Sequence, residues 1–194
     1  MRARAICLFV SFALLTKPAF GHEGEAFSGG FVSGMAHPVF GWDHIAAMVA
    51  IGLWGAILEK PAIWLLPIVF PLVMAIGAAL GIVDAPIPFV EAGIALSGLV
   101  FGVLIIFFVK VPLALAAVLV GFFAVFHGYA HGSELPSAVN PVAYGVGFVV
   151  STGLLHAIGI LFGTVISFEA GRYFVRVAGA LIAAIGTAFL VGIV

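Results

Sequence analysis

Residues 62–82 read Ala-Ile-Trp-Leu-Leu-Pro-Ile-Val-Phe-Pro-Leu-Val-Met-Ala-Ile-Gly-Ala-Ala-Leu-Gly-Ile, 21 positions without a charge. A helix rising 1.5 Å per residue would be about 32 Å long here, enough to cross a hydrocarbon layer about 30 Å thick. Similar runs fall on either side, at 37–58, 88–108, 112–131, 142–166 and 174–194, and the connectors between them are too short for a soluble domain. The reading is an all-α, polytopic membrane bundle of six transmembrane helices. Composition agrees: 64% of the 194 residues are hydrophobic and only 8% are charged, with a mean hydropathy of +1.35, whereas a soluble domain carries about 25% charged residues. A soluble enzyme is therefore excluded. A net charge of −1 and the lack of any basic cluster leave no footprint for nucleic acid. A single cysteine, Cys7, rules out an internal disulfide framework.

Upstream, Arg2 and Arg4 precede an apolar run from Ala5 to Leu15, followed by a polar break and Ala19-Phe20-Gly21. A run of that length is too short to span a bilayer and has the layout of a secretory signal peptide. The expected organisation is a cleaved leader at 1–21 and a six-helix domain at 22–194, with His22 at the new N-terminus. The remaining cations, Lys60, Lys110, Arg172 and Arg176, fall at connectors of one parity, while Asp84 and Glu134 fall at the other. By the positive-inside rule the mature N- and C-termini then both lie outside, in agreement with an exported leader. The location implied is the bacterial inner membrane.

Ionisable side chains inside a membrane are costly and mark function by default. Five of the six histidines lie in or beside the spans. One segment reads His37-Pro38-Val39-Phe40-Gly41-Trp42-Asp43-His44-Ile45-Ala46-Ala47-Met48, and another reads Phe126-His127-Gly128-Tyr129-Ala130-His131-Gly132-Ser133-Glu134. On an ideal helix His37 and His44 share a stripe, as do His127, His131 and Glu134. Asp43 sits about 120° off the first stripe at 100° per residue. Either the helix breaks near Gly41, which Pro38 and Gly41 permit, or Asp43 accepts the ring N–H of a histidine and so holds it. The break is the favoured alternative.

The derived topology puts both segments at one depth near the outer face. Glu91 at the start of the third span and His22 on the N-terminal arm add donors there, and His156 stands alone, deeper, in the fifth. The candidate metal-ligating residues are thus His22, His37, Asp43, His44, Glu91, His127, His131, Glu134 and His156. Met48 reads as core, Ser97 as packing, and Trp42 and Tyr129 as interfacial anchors. Imidazole and carboxylate without thiolate suit nickel, cobalt or zinc; calcium or magnesium would want an oxygen cage. No P-loop of the form G-x-x-x-x-G-K-[ST] is present. The expected partners are a divalent metal ion and the lipid bilayer, with a homo-oligomer left open and no prosthetic group. Two other classes stay in view. A His/Asp zinc site near one interface could serve a lipid amide hydrolase, with Glu91 as its acid/base, and facing histidines could bind haem.

At these two segments the chain resembles the HupE/UreJ family of hydrogenase and urease accessory membrane proteins. The family's first-span pattern is matched by His37, Pro38, Gly41, Asp43, His44 and Met48. Its fourth-span pattern is matched by Phe126 to Gly132 followed by Glu134, and Glu91 to Ser97 and His156 also look like family positions. The resemblance implies a permease that takes up nickel or cobalt for metalloenzyme or cobalamin assembly, its transport then passive or ion-coupled, without ATP, unless a partner supplies energy.

Overall fold

The computed structural model describes residues 30–135 and 140–192. The leader expected at 1–21 and the candidate ligand His22 lie outside the described residues. The rest is helical: α1 Gly30–Phe40, α2 Trp42–Leu58, α3 Ala62–Ile82, α4 Val90–Ile106, α5 Leu113–Ser133, α6 Pro141–Gly163, a 3-10 turn at Thr164–Ser167, and α7 Glu169–Leu190. Four of these, α3, α5, α6 with its 3-10 turn, and α7, are long and apolar enough to cross a membrane. Helices α1 and α2 meet that condition as a pair bent by 84°, and α4 is apolar but shorter, at 17 residues.

The bend falls at the expected place, and both alternatives for Asp43 are realised together. Gly41 is extended (φ −99°, ψ 116°), with Pro38 inside the preceding helix. Asp43 also hydrogen-bonds His44. Two boundaries differ from the sequence reading. The first helical unit begins at Gly30 and not at 37, because Gly34 lets its backbone lie directly on that of Tyr144; a Cβ there would overlap the Tyr144 carbonyl. The last helix begins at Glu169, so Arg172 and Tyr173 are helical and not in a connector.

Backbone-to-backbone approach pairs the helices. α3 lies parallel to α5, with Gly77 against Val125 and Gly128 against Met74, and α4 lies antiparallel to α7, with Gly102 against Gly179 and Ala183. α6 takes α1 along its first half and α2 along its second, where Gly52 meets the His156 carbonyl. Small residues permit this, since lipid supplies no hydrophobic drive to hold helices together and contact must come from close packing. The start of α6 is set locally: Asn140 Oδ1 accepts from the amides of Val142 and Ala143, 3.0 Å each, and Pro141 occupies the first helical position.

The two ends of the bundle differ in charge. At one, Lys110 Nζ donates to Glu59, Arg176 lies 5.5 Å over the Phe108 ring, and Trp54 Nε1–H reaches the Val109 carbonyl at 3.0 Å. The Lys110 ammonium holds the exposed Glu59 carboxyl below its usual range. The other end carries the histidine segments. Between them runs a core built around Trp54, Phe70, Phe101, Met48 and Ile51, all fully buried.

Candidate metal centre

Three helix ends converge on the histidine end. His37 sits in the last turn of α1, His127 and His131 lie near the close of α5, and Asp43 and His44 open α2. The C-termini of α1 and α5 carry the negative ends of their dipoles, which favour a cation. The N-terminus of α2 is the positive end, and Asp43 in its first turn offsets it.

The rings touch in series. His37 and His131 have centroids 4.8 Å apart, His44 and His131 4.3 Å, and His44 and His127 5.1 Å. His37 Nε2 lies 3.6 Å from Glu134 Oε2. His37, His131 and Glu134 each offer one ligand atom within 4.8 Å of the other two. Donors about 2.1 Å from a shared first-row ion stand roughly 3–4 Å apart, so a small inward shift would let these three share one.

Two hydrogen bonds fix which nitrogens face the site. Ser97 Oγ donates to the Ile94 carbonyl at 2.6 Å, so the 2.9 Å contact with His127 Nε2 must be Nε2–H donating to Ser97. His127 Nδ1 is then a bare, buried lone pair. Asp43 Oδ1 lies 2.9 Å from His44 Nδ1, and since a carboxylate accepts, His44 Nδ1–H donates and Nε2 is left bare and buried. This is the carboxylate–histidine arrangement that fixes tautomer and orientation at metal sites. Both nitrogens of His131 are likewise buried and without a partner. Each such nitrogen costs about 1–3 kcal/mol, and a cation is the natural acceptor of several lone pairs at once.

At the rim, Glu134 reaches solvent, yet burial raises its carboxyl pKa; His44 opposes this, and the charges of Glu91 and Asp43 add to it. Glu91 itself is exposed on the first turn of α4 and is not one of the three mutually close donors. His156 lies apart from the cluster, 1% exposed, with its ring edge-on to Phe70. Met48 is core, as expected. Ser97 corrects the reading as mere packing, since it orients His127. Sequence reasoning also missed Tyr144 and Phe148, which flank His37 at 5.9 and 6.2 Å, and Phe70, which touches His127 at 5.5 Å. Aromatic residues are common in apolar runs; only the two prolines flanking Phe70 set it apart.

The family model described as HupE / UreJ protein matches residues 10–189. The chain belongs to the HupE/UreJ family. It is 42% identical to Protein HupE of Rhizobium leguminosarum bv. viciae over 183 residues, 94% of this chain and 96% of that relative. No solved structure matches it. Among HupE/UreJ proteins, then, this chain carries its histidine segments on α1, α2 and α5 at one end of a helical bundle.

Proposed function

We propose that this HupE/UreJ protein takes up a divalent transition metal, nickel or cobalt, from the periplasm into the cytoplasm and supplies metalloenzyme or cobalamin assembly. The observation that carries the reading is the convergence of His37, His44, His127 and His131 with Asp43 and Glu134 at one end, with buried lone pairs left on three of the rings. Nitrogen donors with one or two carboxylates match nickel and cobalt, and zinc shares the preference. The basic end lies in the cytoplasm under the positive-inside rule, so the histidine end faces the periplasm. His22, on the N-terminal arm, and Glu91 would help to capture the hydrated ion.

The polypeptide crosses the inner membrane six times in this reading, the bent pair α1–α2 making one crossing and α4 another. A negative-inside potential of 100 mV favours entry of a divalent cation by about 4.6 kcal/mol, so downhill uptake needs no ATP. The test is flux of radioactive nickel, cobalt and zinc into proteoliposomes containing the purified protein. Saturable nickel or cobalt flux, lost in His44→Ala and His127→Ala variants that still fold, is the expected result. Equal flux in empty vesicles and in vesicles with protein would reject transport.

A further inference from the structure

We infer that the bundle holds a second cation station beneath the first, built on His156 and Thr152 and closed off from the histidine cluster by Phe70. The inference rests on the transport reading above.

His156 is 1% exposed and Thr152 is fully buried, and both ring nitrogens of His156 and the Thr152 hydroxyl lack a hydrogen-bond partner. The two residues are four apart on α6 and so lie on one face. Three bare polar atoms in an apolar interior cost about 1–3 kcal/mol each. A leucine and a valine would fill the same space without that cost, so the polar atoms point to a ligand. They are nitrogen and oxygen donors, the set a first-row divalent ion accepts.

The station lies deeper than the cluster. The His156 carbonyl abuts Gly52 of α2, eight residues beyond His44, which is about 12 Å along a helix. Phe70 links the two levels: its ring is fully buried and lies edge-to-face with His127, at 5.5 Å, and with His156, at 5.7 Å. A phenyl ring has no lone pair to offer, so a cation leaving His127 for His156 waits until that ring moves. The backbone beneath it is suited to movement. Pro67 and Pro71 bracket Phe70 within α3, and each lacks the N–H that would bond the carbonyl four residues earlier. The turn carrying Phe70 thus lacks the bond from residue 71 to the Pro67 carbonyl, and the turn before it lacks the bond from residue 67 to the Ile63 carbonyl, the usual origin of a helix that bends.

The experiment is titration of the full-length, detergent-solubilised protein with cobalt(II) alone, followed by visible absorption and stopped flow. Two equivalents are expected, one fast and one slow. His156→Gln retains the fast equivalent and loses the slow one. Thr152→Val weakens only the slow one, by about tenfold. Phe70→Ala keeps both and speeds the slow phase by about tenfold or more. A wild type that binds a single equivalent, or a slow phase that survives His156→Gln, overturns the second station and leaves the outer site standing. A slow phase unchanged in Phe70→Ala overturns the barrier. If His156→Gln fails to fold, the other two variants decide, and unchanged behaviour in both rejects the proposal. A wild type that binds no cobalt refutes the outer site, and this inference with it.

Discussion

At His127, the direction of one proton decides which nitrogen meets the site. Ser97 gives its own proton to the Ile94 carbonyl and takes that of His127 Nε2, which turns the Nδ1 lone pair loose. Ser97→Ala should therefore lower nickel affinity about tenfold or more without unfolding the bundle, and Asp43→Asn should cost about 10–100-fold by releasing His44; equilibrium binding to the purified variants checks both. Protons compete with metal for imidazole, whose ordinary pKa is about 6.5. Glu134, its pKa raised by burial, also loses its charge earlier than an ordinary carboxylate as pH falls. Both effects have one sign, so uptake should weaken below about pH 6, and a flat profile between pH 5 and 8 would contradict imidazole ligation. The histidines and Asp43 were legible in the sequence because ionisable groups are rare in a membrane; spacing put the histidines of each segment on one face, and Asp43, off that face, pointed to the break. Ser97 was not, because a serine among glycines in an apolar helix looks like any small packing residue. Its role exists only once α4 lies beside α5.

At the scale of elements, the break between α1 and α2 is part of the site. A Cβ on Gly41 would stand 2.8 Å from His44 Nδ1 and 2.9 Å from Asp43 Oδ1, so Gly41→Ala should disturb that hydrogen-bonded pair. The expected outcome is weakened metal binding with unchanged helical content, read by titration and circular dichroism. Asn140→Ala removes the cap of α6 and should cost about 1 kcal/mol of stability, measured by denaturant unfolding in detergent. The break was readable from Pro38 and Gly41. The extension of α1 back to Gly30 was not, since Ser28-Gly29-Gly30 and Ser33-Gly34 read locally as a loop. Gly30 and Gly34 serve contact with α6 and its cap, and packing overrides their poor helix propensity.

Across the whole molecule, the pairing of α1–α2 with α6, α3 with α5, and α4 with α7 is unchanged when the first three helical units are exchanged for the last three. A three-plus-three inverted repeat would have this arrangement, and such repeats place substrate sites where the halves meet. The sequence offered only faint internal similarity, because a repeat in an apolar chain can persist as geometry after its residues diverge. The separation of a basic end from a histidine end was legible in the parity of four cations, and contacts of Lys110 and Arg176 gather at a single end. In a background lacking Cys7, Asp84→Cys should react with an impermeant thiol reagent applied to spheroplasts, whereas Lys60→Cys should react only after lysis. The most direct test of the central claim is X-ray absorption at the nickel edge of the purified protein with one equivalent of nickel. Imidazole scattering from several rings is the predicted result, losing one ring's contribution in His44→Ala and one in His127→Ala. A nickel shell of oxygen alone, or one unaltered in both variants, would contradict it.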